Sequence, residues 1–248
     1  MVYRTMISLK PEIITTIGGF SVTNTIGSTL LTDLVIIAVV FFLNRFLALN
    51  PGRLQNIIES VIEYFHELTA QVAGDRVEAI FPWFISFFIF IFISNIMGLF
   101  PGFETMQVLE KGTGEYIPLL RTATSDLNVT VALAVVSVTA THILSIRHIG
   151  VFNYLKRFFS FNPFFMFVGV LEMVGEGTKL VSLSFRLFGN IFAGAVVLST
   201  VSTLMTYSAF LGPLPFMALE MIVALIQALV FAMLTMIFMS IMTTVHEH

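Results

Sequence analysis

Long apolar runs separated by short polar stretches follow one another along the chain. A helix needs about 20 mainly apolar residues to cross the hydrocarbon core of a bilayer. The runs therefore predict spans at residues 28–46, 81–100 and 127–146, a long stretch at 163–206, and a final helix at 215–245. The stretch at 163–206 is too long for one perpendicular helix and contains no firm turn, so it predicts one long tilted helix or two shorter helices. The predicted fold class is all-α, a polytopic membrane protein with roughly five to six transmembrane helices, the last two long and tilted.

One helix between the first two spans has a different pattern. Residues 54–68 place their apolar side chains on a single helical stripe, at Leu54, Ile57, Ile58, Val61, Ile62, Phe65 and Leu68. The opposite face is polar and mostly acidic, at Gln55, Glu59, Glu63 and Glu67. This amphipathic pattern predicts an interfacial or partner-packing helix. Its acidic face favours a protein partner over anionic lipid.

The basic residues in the connecting segments predict the orientation, because cytoplasmic loops carry an excess of Lys and Arg. The denser set is Arg45, Arg53, Arg76, Arg147, Lys156 and Arg157. The sparser set is Arg4, Lys10, Lys111 and Arg121, among Glu104, Glu110 and Glu115. Segments 47–80 and 147–162 are therefore predicted to be cytoplasmic, and segments 1–27 and 101–126 external.

Composition agrees with a membrane protein and excludes several kinds of site. The 248 residues are 57% hydrophobic and 11% charged, with a mean hydropathy of +0.95. Soluble domains carry about 25% charged residues. The chain has no cysteine, no basic run that would suit nucleic acid and no histidine spacing of the HExxH type, so no metal and no cofactor are expected.

Polar residues inside the last two long apolar segments are the candidate functional residues, because a charge in a membrane costs about 2.5–3.5 kcal/mol on insertion scales. The first of these segments contains Glu172, Glu176, Lys179, Arg186 and Asn190. The second contains Glu220 and Gln227. Helical spacing puts Glu172, Glu176 and Lys179 on neighbouring turns of one face, and Arg186 on the same face as Asn190.

The predicted directions of these helices separate the acidic groups. If the 163–206 stretch runs outward, Glu172 and Glu176 lie on the cytoplasmic side of Arg186. If the final helix returns inward, Glu220 lies toward the outside. Acidic groups then approach Arg186 from opposite sides, which predicts two aqueous half-paths divided by an arginine. A guanidinium suits a divider because it stays charged and cannot relay protons.

Four sequence blocks resemble one known family. SFRLFGNIFAG is similar to the arginine motif of the a subunit of F-type ATP synthases, and SNIMGLFPG, SDLNVT and ALIQALVFAMLTMIFMS resemble the family's other blocks in the same order. The resemblance covers the chain from about Asp33 to the C-terminus. It implies a proton-translocating subunit that works with the c-ring and with b-type subunits of a peripheral stalk, in contact with membrane lipid and without nucleic acid. It implies a multi-pass protein of the bacterial plasma membrane, with the mitochondrial inner membrane as the alternative, and no ATP hydrolysis by the chain alone.

The resemblance also implies roles for individual residues. Arg186 would face the c-ring carboxylate and divide the half-channels. The outer path would be lined by Asn190, Glu220 and Gln227, with Asp126 and Asn128 near its mouth. The cytoplasmic path would be lined by Glu172 and Glu176. One position departs from the pattern, because Ala195 stands where many members have Glu or His.

Alternative interpretations stay open at the level of sequence. A secondary transporter with an intramembrane Arg/Glu pair is one, although its typical inverted repeats and interrupted helices are not found. A structural scaffold and a sodium-coupled form of the same subunit are others. Glu176 and Lys179 could simply neutralise each other, Asp126 could only cap a helix, and His142 could serve only in packing or in a polar contact.

Overall fold

The computed structural model describes residues 11–17, 20–45, 47–48, 52–100, 103, 107–109, 116–158, 163–204 and 213–244. Several features of the sequence interpretation lie outside this part of the chain, namely Arg4, Lys10, Lys111, the three glutamates of the external loop, and the predicted span ends at residues 46, 206 and 245.

The described chain is mainly helical. The helices are α1 (Asn24–Arg45), α2 (Arg53–Ala73), α3 (Val77–Leu99), α4 (Leu127–Ile149), α5 (Val151–Phe158), α6 (Pro163–Leu204) and α7 (Leu214–Thr243). Five helical stretches are long and apolar enough to cross a membrane, at Asn24–Arg45, Arg53–Leu99, Leu127–Ile149, Met166–Ser202 and Leu214–Thr243. Helices suit this environment because they satisfy every backbone hydrogen bond within the segment. The all-α, polytopic membrane fold is confirmed.

The long apolar stretch containing Arg186 forms one continuous helix, α6, of 42 residues. Helix α5 and two small hairpins add to the elements expected from sequence. Strands β1 (Ile13–Ile17) and β2 (Phe20–Thr23) form the first antiparallel hairpin, and β3 (Gln107–Leu109) and β4 (Tyr116–Pro118) form the second. Segments this short carry too weak an alternation of polar and apolar residues to predict strands.

Two glycines end helices by adopting positive φ. Gly74 (φ 56°) ends α2, and its N–H donates to the carbonyl of Ala70. Gly150 (φ 85°) ends α4, and its N–H donates to the carbonyl of Ile146 at 2.9 Å. Glycine is favoured at such positions because it has no Cβ to clash in this conformation.

The chain divides into two compact units. Unit one comprises Met1–Phe42, Ile89–Thr130 and Arg186–Ala228, and unit two comprises Leu43–Phe88, Val131–Phe185 and Leu229–His248. In unit one the segment from Arg121 to Asp126 is buried throughout, beside the buried α1 residues Asn24, Thr25, Ser28 and Thr32.

Unit two has an aromatic core. Phe65 of α2 lies 5.4 Å from Phe84 and 4.9 Å from Phe88 of α3, measured between ring centroids. Phe87 lies 5.5 Å from Phe231 of α7, which is almost fully buried. The apolar stripe predicted for α2 is thus buried near its C-terminal end, whereas Leu54 and Ile57 near its start stay 77% and 62% exposed.

Candidate functional site

Arg186 lies on an exposed stripe of α6 within unit one. The residues at helical spacing beside it, Asn190, Ala193 and Val197, are exposed as well. The opposite side of the helix is buried, at Leu183, Leu187 and Ile191. The sequence predicted that Arg186 and Asn190 share a face, and helical spacing puts them on successive turns of this stripe. Small and polar neighbours let another helix approach the arginine closely.

Two of the predicted site residues meet between α6 and α7. The Asn190 side-chain amide donates to Gln227 Oε1 at 2.6 Å. Gln227 is 4% exposed, so its carbonyl oxygen would be left without water if this bond were broken. The pair therefore fixes the register of the two helices beside Arg186.

Glu220 of α7 packs against the backbone of α6 in the same unit. A Cβ built on Gly194 would lie 2.5 Å from Glu220 Oε1 and 3.0 Å from Glu220 Cδ. A larger residue at this position would push the end of the Glu220 side chain away from α6. The spacing of Glu220 and Gln227 on one stripe was visible in the sequence, but this contact with Gly194 was not.

A small, partly open pocket, with room for about one water molecule, lies beside this carboxylate. Its lining includes Glu220, Ala195, Asn95, Gly98 and Thr122. Ala195 is the position that departs from the resembled family, and its methyl group leaves the space beside Glu220 unfilled. Space, a carboxylate and further polar groups are what a site needs to take up water.

The sequence interpretation did not single out Asn95 as a site residue. Its side chain is 3% exposed, and its Oδ1 accepts a hydrogen bond from the hydroxyl of Thr124. Its Nδ2 has no hydrogen-bond partner within the described part of the chain. A buried polar group without a partner is rare, so this amide is a candidate to bind what enters the pocket. The signal in the sequence was the polar Ser94–Asn95 pair inside a mainly apolar span.

Asp126 occupies the position before the first residue of α4, and within the described part of the chain its carboxylate accepts hydrogen bonds from neutral donors. Its Oδ1 accepts from the backbone N–H of Asn128 at 2.9 Å and from the Asn128 side chain at 3.0 Å. Its Oδ2 accepts from the hydroxyl of Thr25 at 2.8 Å. The carboxylate caps α4 and ties it to α1, which is the helix-capping alternative raised from the sequence.

The remaining predicted residues lie in unit two. Glu172 is half-buried on α6. Glu176 is 9% exposed, and its Oε1 lies 2.6 Å from Lys179 Nζ. The ammonium group also lies 4.5 Å from the ring centroid of Phe238 on α7, a cation–π contact. The predicted pairing of Glu176 with Lys179 is thus present in the structure.

Comparison with known proteins places these residues in a family. The sequence model of the family described as ATP synthase A chain matches residues 26–240. This range includes every site residue above. The chain belongs to the ATP synthase A chain family. Its relatives include ATP synthase subunit a of Moorella thermoacetica, 31% identical over 98% of this chain and 100% of that protein. ATP synthase subunit a of Trichlorobacter lovleyi is 35% identical over 78% of this chain and 76% of that protein.

Another relative in the ATP synthase A chain family differs in its ion. The sodium ion specific ATP synthase subunit a of Propionigenium modestum is 34% identical over 92% of this chain and 76% of that protein. Membership in the family therefore identifies the chain as an ATP synthase subunit but does not identify the transported ion.

Proposed function

We propose that this chain is the proton-translocating subunit a of an F-type ATP synthase, with Arg186 dividing two offset half-channels that protonate and deprotonate a c-ring carboxylate. The observation that carries the proposal is the exposure of Arg186 on a helix able to span a membrane. An exposed charge on such a helix is stable only where water or another protein covers it. A passing carboxylate on a rotor would supply that cover intermittently.

The outer half-channel is proposed to run through unit one. Glu220 beside the pocket would hand protons inward, and the Asn190–Gln227 pair would line the route close to Arg186. Asp126 would hold the mouth in shape, because its oxygens are occupied by Thr25 and Asn128.

The cytoplasmic half-channel is proposed to run past Glu172 and Glu176, which precede Arg186 on α6. Arg186 would keep the rotor carboxylate ionised while it passes between the two paths. It would also block a direct proton leak, because a guanidinium does not release its proton.

Exposed surfaces on the chain suit the expected partners. Exposed apolar side chains on α6 and α7, such as Phe185 and Ile222, suit the c-ring or lipid tails. The exposed start of α2, with Leu54 and Ile57 beside acidic residues, suits b-type subunits of the peripheral stalk. We place the complex in a bacterial plasma membrane, since the relatives described above come from bacteria.

A sodium-coupled version is the second candidate, favoured by the sodium ion specific relative. The rotor carboxylate that would select the ion is not in this chain. Adding sodium to vesicles at fixed pH distinguishes the two ions, because sodium would raise the rate of ATP hydrolysis only in a sodium-coupled complex.

The proposal is tested by ATP-driven proton pumping in inverted membrane vesicles. We expect Arg186→Ala to reduce coupled pumping by about 100-fold or more, a loss typical of removing a preorganised charge. Arg147→Ala is the matched control, because Arg147 is an exposed arginine at the end of α4. Full coupled pumping by Arg186→Ala would overturn the proposal.

A further inference from the structure

Unit two contains a cluster of four polar side chains drawn from three helices. Glu176 and Lys179 come from α6, His142 from α4 and Tyr154 from α5. His142 Nε2 lies 3.8 Å from Glu176 Oε2, and His142 Nδ1 lies 2.9 Å from the Tyr154 hydroxyl. Both ring nitrogens of the histidine therefore face a polar group, which is one of the two roles, packing or a polar contact, that the sequence suggested.

The Tyr154 contact supports His142 in either protonation state. When the neutral ring carries its proton on Nδ1, the phenolic oxygen accepts from that N–H whether or not Nε2 is protonated. The two rings also meet edge to face, with centroids 5.9 Å apart and an interplanar angle of 76°. The contacts with Tyr154 thus hold the imidazole in place and leave Nε2 available to bind and release a proton.

Glu176 lies between the side chains of Lys179 and His142. Lys179 Nζ is 2.6 Å from Oε1, and His142 Nε2 is 3.8 Å from Oε2. Lys179 already balances the charge of this buried carboxylate, so His142 is not needed for neutrality.

We propose that His142, Glu176 and Lys179 form a proton-exchange group on the cytoplasmic half-channel, in which His142 takes up and releases the transported proton. This rests on the proposed function. In each cycle the unprotonated His142 Nε2 binds one proton and the imidazole becomes imidazolium. During ATP synthesis this proton comes from the rotor carboxylate and leaves to cytoplasmic water. During ATP-driven pumping it comes from cytoplasmic water and passes to the rotor carboxylate, so in either direction the cluster gains one positive charge and loses it again. Histidine suits this role because it titrates near neutral pH.

The test is the pH profile of pumping in inverted vesicles, whose outer medium is the former cytoplasmic side. Pumping is divided by ATP hydrolysis at each pH. We expect the wild-type ratio to change roughly fivefold between about pH 5 and 8, where imidazole titrates, and the change to fall below about twofold in His142→Gln. His148→Gln is the control, because His148 is an exposed histidine on the same helix whose Nδ1 contacts the Leu144 carbonyl at 3.0 Å.

A double-mutant cycle tests whether the residues act as one group. We expect Glu176→Gln to flatten the profile as His142→Gln does, and the double variant to be no flatter than either single variant. A wild-type profile for His142→Gln would overturn the proposal, as would fully additive effects.

Two further variants keep the test decisive. If His142→Gln is not recovered in the complex, Tyr154→Phe retains the imidazole and removes only its hydroxyl partner, and it should also flatten the profile. An unchanged Tyr154→Phe profile would then overturn the proposal. Arg186→Ala distinguishes the proposed function from the role of His142. Normal pumping by Arg186→Ala would refute the divider role of Arg186 and leave proton exchange at His142 untouched. A wild-type pH profile for His142→Gln would refute proton exchange at His142 and leave the divider role untouched.

Discussion

The two units bury different kinds of side chain. In unit one, the buried residues are largely polar, with Asn95, Thr122, Ser125 and Gln227 among them. In unit two, the largest buried side chains are phenylalanine, isoleucine, leucine and methionine, as in the contacts of Phe65 and Phe231. A membrane protein gains nothing from burying polar groups unless they are hydrogen-bonded or reached by water. We infer that the polar interior of unit one can admit water, whereas unit two has a mainly apolar core that encloses the polar cluster around Glu176.

The carboxylates follow the same division. In unit one, Asp126 is held by neutral donors and Glu220 lies beside an open pocket. In unit two, Glu176 is held between Lys179 and His142. We infer that in unit one the movement of protons depends on access of water to the carboxylates. In unit two it depends on the charged groups paired with Glu176.

The largest effect that would test this division comes from Glu220. We expect Glu220→Gln to lower coupled pumping by about 100-fold, because an amide cannot carry a proton through the pocket. Glu59→Gln is the control, since Glu59 is an exposed acid on α2 that accepts a hydrogen bond from Gln55 at 2.7 Å. Normal pumping rates in Glu220→Gln would show that the pocket is not the route.

An intermediate effect is expected from Gly194→Ala. The new Cβ would displace the end of the Glu220 side chain without straining the backbone, and we expect pumping to fall about tenfold. Gly189→Ala is the matched control on the same helix, because a Cβ there meets no atom within 4 Å in the described chain. Equal pumping rates in the two variants would mean that the position of Glu220 is unimportant.

The smallest effect on transport is expected from Asp126→Ala. Losing the cap of α4 and the bond to Thr25 should reduce stability by about 1–2 kcal/mol, measured by thermal unfolding of the purified complex. Coupled pumping per assembled complex should stay near the wild-type rate, and Asp126→Asn should recover part of the stability. A stable Asp126→Ala complex that no longer pumps would instead make Asp126 a proton carrier in the outer path.

Much of the fold followed from the sequence, because a helical segment that crosses lipid must have about 20 mainly apolar residues. The apolar runs predicted the helices, and α6 and α7 contain the two longest runs. The hairpins and α5 were not predicted, because these elements are short. Arg121 was counted as a loop charge, yet it is 5% exposed, with its guanidinium on Ser125 and over the ring of Phe192.

The candidate site divides in the same way between local pattern and long-range contact. The sequence by itself determined that Arg186 is unusual, because a charge within an apolar helix is costly and stands out, and helical spacing put it beside Asn190. Only the tertiary structure decided that Glu220 rests on Gly194, that Asp126 binds Thr25, 101 residues away, and that His142 faces Glu176. These contacts join separate helices, and one chain's local periodicity carries no information about which side chains meet when helices pack.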